Sequence, residues 1–136
     1  MSATSTHFER EAMKKLLVLL FCVALPMFGA PAVMVTPVTS QVPVAATVEQ
    51  VRRAITTAAT ELKWIPRADG QGKIEAKLNV RQHELVVVIT FTKDSYTITY
   101  KDSKKLNYNA KRNTIHTQYA TWVKNLDNRI QRVLVQ

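Results

Sequence analysis

The segment Gly72-Lys73-Ile74-Glu75-Ala76-Lys77-Leu78-Asn79-Val80-Arg81 carries the clearest structural signal in this 136-residue chain. Ile74, Ala76, Leu78 and Val80 alternate with Glu75, Lys77, Asn79 and Arg81, a period of two that sends apolar side chains to one face of a strand and polar ones to the other. Gln82 and His83 follow, and the alternation then resumes from Glu84 to Thr92. There Leu85, Val87, Ile89 and Phe91 line one face, while Val86 and Val88 make the second face partly apolar, as suits a central strand. Lys93-Asp94-Ser95 makes a tight connection, after which Tyr96, Ile98 and Tyr100 alternate with Thr97, Thr99 and Lys101. Three such runs with short connections predict a three-stranded antiparallel meander.

On the N-terminal side the period lengthens. Thr47-Val48-Glu49-Gln50 matches a capping box, in which the Thr hydroxyl satisfies a first-turn N–H and the Gln side chain reaches back. Val48, Val51, Ile55, Ala58 and Leu62 follow as one apolar stripe, with Glu49, Arg52, Arg53 and Glu61 off it, so a helix is predicted from Thr47 until Pro66 closes it. Arg67 to Gly72 is turn chemistry. After the meander, Asp102 to Asn113 is a polar loop carrying Leu106 and Tyr108, long for an idle connection and therefore a functional candidate. Ile115, Tyr119, Trp122, Val123, Leu126, Ile130 and Val133 predict a second helix running almost to the C-terminus, with His116 in its first turn. The expected fold is a single small α+β domain over residues 47–136, ordered helix-strand-strand-strand-helix, with both helices on one face of a three-stranded antiparallel sheet. A domain of roughly ninety residues can bury a working core without disulfides.

Residues 33–46 mix Val, Thr, Ser, Gln, Pro37 and Pro43 with no charge, which reads as an extended linker. Residues 1–32 read as an N-terminal extension and signal sequence. From Leu16 to Val35 there are twenty uncharged residues, preceded by Lys14 and Lys15, the arrangement of a positive region feeding an apolar one. Pro26 and Pro31 interrupt a continuous spanning helix, and Ala30-Pro31-Ala32 has the small residues a signal peptidase needs, so cleavage is expected after Ala32. Met13 begins a more conventional signal peptide than Met1, because the twelve residues before it are polar and include Glu9 and Glu11. The alternative is a retained anchor, since twenty apolar residues are about what a bilayer core requires. Either way the two lysines hold the N-terminal side in and export the remainder. Cys22, the only cysteine, lies in the apolar run, which excludes an intramolecular disulfide and a thiolate zinc site. Lipidation at Cys22 is disfavoured by the bulky Phe21 before it.

At 46% hydrophobic and 21% charged residues, the composition is that of a folding chain. With 19 Lys or Arg against 10 Asp or Glu the formal charge is +9, and from Val33 onward sixteen cations stand against eight carboxylates. That surplus favours anionic partners. The basic residues are scattered over every element rather than gathered in a stripe, which argues against nucleic acid.

Trp64, Gly72-Lys73-Ile74-Glu75-Ala76, Arg81-Gln82-His83, Tyr96 to Ser103, Leu106-Asn107-Tyr108 and Ile115 to Val123 together resemble a family of small exported proteins and lipoproteins of proteobacteria. The resemblance covers about Thr47 to Leu134 and implies a periplasmic or cell-envelope location in a Gram-negative bacterium. It implies no activity, cofactor or catalytic residue.

Among chemistry-bearing side chains, Asp102, Ser103 and His116 have the residue types of nucleophilic hydrolysis, but no Gly-x-Ser-x-Gly elbow or Gly-rich oxyanion turn accompanies them. His83 and His116 lack a close-spaced third metal ligand, so no metal or cofactor is expected. Trp64, Tyr119 and Trp122 have the character of ligand-stacking residues, yet two lie on an apolar helical stripe and read as core. With the helices on one sheet face, the other presents Lys73, Glu75, Lys77, Asn79 and Arg81, then Val86, Val88, Thr90 and Thr92, then Thr97, Thr99 and Lys101. This face is either an ordinary solvated surface or a contact surface basic at its margins. The candidate binding residues are Lys77, Arg81, Thr97, Thr99, Lys101, Asp102, Ser103, Tyr108 and His116. The candidate partners are an envelope protein, an anionic envelope component or a second copy of the chain, with membrane contact through an uncleaved N-terminal segment. The expected function is a non-catalytic exported module; the competing readings are a small hydrolase centred on Ser103 and His116 and a basic nucleic-acid-binding exported protein.

Overall fold

A computed structural model describes residues 31–136. In chain order it contains β1 (Ala32–Met34), β2 (Val38–Gln41), α1 (Val48–Glu61), β3 (Trp64–Ala68), β4 (Lys73–Val80), β5 (His83–Phe91), β6 (Ser95–Lys104), β7 (Thr114–His116) and α2 (Gln118–Leu134). The fold is α+β. The predicted meander is present as β4, β5 and β6, with β5 in the middle as its two apolar faces require. Register places Ile74 opposite Ile89 and Ile89 opposite Ile98, with Ala76 opposite Val87 and Leu78 opposite Leu85. These side chains share one core cluster with Val51, Ile55, Ala58 and Ala59 of α1 and Tyr119, Val123, Leu126 and Ile130 of α2. Burying aliphatic side chains of this size contributes about 1.5–3 kcal/mol each.

The sheet has five strands rather than three, in the order β2-β6-β5-β4-β3, and β1 and β7 form a separate two-stranded sheet. Both extra strands of the large sheet come from segments with other expected roles. β2 lies within residues 33–46, the expected linker: Val38 pairs with Ile98 and Ser40 with Tyr96, and the Val42 N–H donates to the Asp94 carbonyl at 2.8 Å. β6 would otherwise leave a row of backbone groups unpaired, and an uncharged segment meets no electrostatic obstacle to filling that edge. β3 replaces the expected end of the first helix. The helix stops at Glu61, five residues before Pro66, and Lys63 at φ 70° reverses the chain into the strand. Pro66 is tolerated there because β3 is an edge strand, where one missing N–H need not break a ladder. The capping box at Thr47 is present in full: Gln50 N–H donates to Thr47 Oγ1 at 3.1 Å and Thr47 N–H to Gln50 Oε1 at 2.9 Å. Val48, expected on the buried stripe, is exposed at the helix start.

The expected 102–113 loop is shorter, because β6 continues to Lys104. β7 then places His116 in a strand before α2 rather than in the helix's first turn. The apolar run expected to end at Val35 also divides: Val33 and Val35 belong to the folded unit, Val33 opposite Ile115 and Val35 buried. Residues 16–30 of that run, Phe21 and Cys22 among them, lie outside the described residues together with Met13. No helix among the described residues is long and apolar enough to cross a membrane.

Asp127 of α2 ties the covered sheet face together. Its Oδ1 accepts from Tyr96 Oη at 2.5 Å and from Ser40 Oγ at 2.8 Å, while Gln131 Nε2 donates to Tyr96 Oη at 2.8 Å. One carboxylate thus links the last helix to β6 and to the edge strand β2. Burial, followed by the Asp127 hydrogen bond, pushes the Tyr96 phenol far above its usual range. Tyr96→Phe should lower unfolding stability by about 1–3 kcal/mol, the range for losing a hydrogen bond to a charged group. The exposed substitution Thr90→Ser should stay within about 0.5 kcal/mol. Urea-melt midpoints of the two variants provide the check.

Candidate functional site

Three regions gather the chemistry-bearing side chains. The first is the sheet face opposite the helices. There Glu75 accepts from Lys101 Nζ at 2.5 Å and pairs with Arg67 at 3.4 Å, and Glu84 pairs with Lys77 at 3.4 Å and Lys104 at 3.9 Å. Each glutamate is clamped between two cations, and the Lys101 hydrogen bond, helped by Arg67, holds the Glu75 carboxyl below the usual carboxylate range. Thr39 and Thr97 hydroxyls meet across the β2–β6 pair at 2.9 Å. Ile65 stands 60% exposed on the same face. Lys77, Thr97, Thr99 and Lys101 are therefore on this face as expected; Arg81 is not, because it turns the chain between β4 and β5 at φ 55°.

The second region follows from a register shift. Val87 pairs with Tyr100 but Val86 pairs with Asp102, so Lys101 is an extra residue, a β-bulge. Past the bulge the alternation inverts: Asp102 joins the open face, and Ser103 falls on the helix side opposite Leu85. Tyr100 and Ser103 thereby reach each other, Oη to Oγ at 2.8 Å. Tyr108 stacks on Tyr100 with centroids 4.4 Å apart, and Tyr119 meets the same ring edge-on at 5.9 Å. Burial pushes the Tyr100 phenol upward, against the Ser103 hydrogen bond and with the Asp102 charge. Tyr119 is nearly inaccessible, its hydroxyl has no hydrogen-bond partner among the described residues, and burial pushes its pKa up to about 12.

The third region is a cleft of about 330 Å³ between the β4–β5 turn, the loop after β6 and the start of α2. Arg81, His83, His116, Gln118 and Trp122 line it, with Val80 and Leu106 supplying apolar wall. His83 and Trp122 rings lie 6.3 Å apart. His83 Nδ1 bonds the Lys105 carbonyl at 2.8 Å, and His116 Nδ1 accepts from the Gln118 N–H at 3.1 Å. His116 thus satisfies one of the free N–H groups at the start of α2, where Thr117 makes no side-chain cap.

Protein-family models, curated proteins and solved structures contain no match to the chain. The geometry must therefore speak for itself. Ser103 and His116 are not joined: the Ser103 hydroxyl bonds Tyr100, and because His116 Nδ1 accepts a backbone N–H the ring proton sits on Nε2, the nitrogen that would have to be bare to take a serine proton. Among the described residues no group of three His, Cys, Asp or Glu is placed to hold a metal ion. Trp64 is core, whereas Trp122 is half-buried and lines the cleft.

Sequence reasoning missed Asp127 and Gln118. A lone carboxylate between Val123 and Ile130 on the apolar stripe was the available signal for Asp127, since an acid at such a position needs partners. Gln118 gave no signal, because its role is played by its backbone.

The raised Tyr119 pKa has a definite sign. Its neutral phenol is favoured in the fold, so the contribution is complete below pH 10, the unfolded value, and is lost as pH rises to about 12. Tyr119→Phe should be neutral or stabilising at pH 7, because it removes a hydroxyl without a partner. Between pH 10 and 12 the wild type should lose stability relative to the variant, as read by paired urea melts; a constant difference across that window would refute the burial account.

Proposed function

We propose that the chain is a non-catalytic exported module of the periplasm or cell envelope that contacts a protein partner or an anionic surface through the open sheet face and the 102–113 loop. The observation that carries this reading is the sheet face that no element of the described residues covers. Both helices pack on the other side, leaving five strands whose outer surface holds Val86 and Val88 at the centre and five cations, Arg67, Lys73, Lys77, Lys101 and Lys104, against the carboxylates Glu75, Glu84 and Asp102. Clamped glutamates fix the lysines and arginine that contact them, so a partner would meet a pre-arranged charge pattern rather than mobile side chains. The loop after β6 continues the basic character: from Ser103 to Leu126 the sequence has no Asp or Glu but contains Lys104, Lys105, Lys111, Arg112 and Lys124. The uncharged run behind Lys14 and Lys15 supports the exported location.

The test uses the chain as it is purified from the envelope fraction. Lys73→Glu with Lys104→Glu reverses charge on the open face while leaving the short Lys101–Glu75 contact and the Lys77–Glu84 pair in place. The double variant should recover a partner from envelope extracts, or bind vesicles containing anionic phospholipid, about tenfold less well. Ser103→Ala should match the wild type in both assays. Equal recovery by the charge-reversed variant would remove the face from the account, and hydrolytic turnover abolished by Ser103→Ala would replace the reading with the catalytic one.

A further inference from the structure

The cleft beside α2 has a chemistry that the open face does not share. Its two imidazoles are fixed by the backbone in opposite tautomers. A carbonyl oxygen can only accept, so His83 Nδ1 must carry the proton that meets Lys105, and in the ring with a single proton Nε2 is an acceptor. An amide N–H can only donate, so His116 Nδ1 is bare and the proton of its neutral ring sits on Nε2, a donor. Arg81 adds guanidinium donors, and no carboxylate of the described residues is paired with it or lines the cleft. Trp122, Leu106 and Val80 provide a half-apolar wall. The cleft therefore offers a cation, one neutral donor, one neutral acceptor and an apolar surface in about 330 Å³, near the small end of small-molecule sites.

We propose that this cleft binds a carboxylate whose neighbouring carbon carries an acylated N–H, the end group of an N-acylated amino acid or of a peptide chain. Arg81 and His116 Nε2–H receive the carboxylate, His83 Nε2 accepts the ligand's N–H, and the ligand side chain lies against Trp122 and Leu106. The pairing of donor with acceptor is what selects this class. A fully ionised phosphate has no proton for His83, and a metal ion would find only one imidazole lone pair, since the His116 Nδ1 is engaged and its Nε2 is protonated. The inference does not depend on the open sheet face.

The test is a titration of the ¹⁵N-labelled full chain with N-acetyl-L-leucine, read by NMR at the indole N–H of Trp122 and the amide of Gln118. The indole of Trp64, buried in the core, is the internal control. Saturable shifts at Trp122 and Gln118 with Trp64 unmoved are expected. N-acetyl-L-leucinamide, which lacks the carboxylate, and N-acetyl-N-methyl-L-leucine, which lacks the N–H, should each bind at least tenfold more weakly. Arg81→Gln should weaken N-acetyl-L-leucine by tenfold or more at unchanged Tm, since Arg81 is an exposed turn residue. A tripeptide ending in leucine with a free C-terminus that binds tenfold tighter identifies chain ends as the source; equal affinity identifies the free acylated amino acid. Absence of saturable shifts, equal binding of the amide, or the same shifts from inorganic phosphate alone would each overturn the proposal.

Discussion

Both helices, of fourteen and seventeen residues, pack on the same side of a five-stranded sheet, and the two sides of that sheet are built under different constraints. On the covered side, apolar residues at every second strand position meet the stripes of α1 and α2 in one continuous core. Asp127 is the exception on that side, a carboxylate that works only because Tyr96 and Ser40 both donate to it. The helices are further joined near their solvent edge by Arg129 and Glu61 at 3.1 Å. The uncovered side cannot be apolar without inviting association, and the chain resolves this by clamping Glu75 and Glu84 between cations across three strands. Such pairs add little stability when solvated, but they order the side chains of a surface that no other element of the described residues covers.

The single extra residue at Lys101 has consequences well beyond its own position. Without the bulge, strict alternation would send Asp102 toward the helices and Ser103 outward. With it, Asp102 is solvated and the Ser103 hydroxyl reaches Tyr100. Tyr100 then serves as the platform on which Tyr108 stacks and against which Tyr119 packs edge-on. These contacts, with Leu106 buried beside them and the His116 N–H donating to the Leu106 carbonyl at 2.9 Å, lay the loop after β6 against the start of α2. The cleft is the space left where that loop, the β4–β5 turn and the helix meet. A strand irregularity thus bears on a cleft walled in part by Leu106, His116, Gln118 and Trp122 further along the chain.

The open face and the cleft differ in breadth and in chemistry. The face is broad and carries glutamates paired with cations. The cleft is small, has no carboxylate among the described residues that line it, and presents its hydrogen-bonding atoms through tautomers that the backbone imposes. Ser103, the residue whose type most invites a catalytic reading, has its hydroxyl bonded to Tyr100.

Periodicity and end signals were enough to read the α+β class, the order β4-β5-β6, the central place of β5, the Thr47 capping box and the apolar stripes of both helices. Each depends on neighbours within a few residues, where side-chain direction follows directly from backbone geometry. Lys77, Thr97, Thr99 and Lys101 were placed on the open face for the same reason. The pairing of β2 with β6 was not readable, because an edge strand is defined by a partner more than fifty residues away rather than by its own composition. Nor was the bulge at Lys101, which no residue type announces, nor the meeting of Arg81 and His83 at the β4–β5 turn with His116 from a distant segment. Those arrangements arise only when the sheet edge, the register and the loop path are satisfied together, and they are long-range by nature.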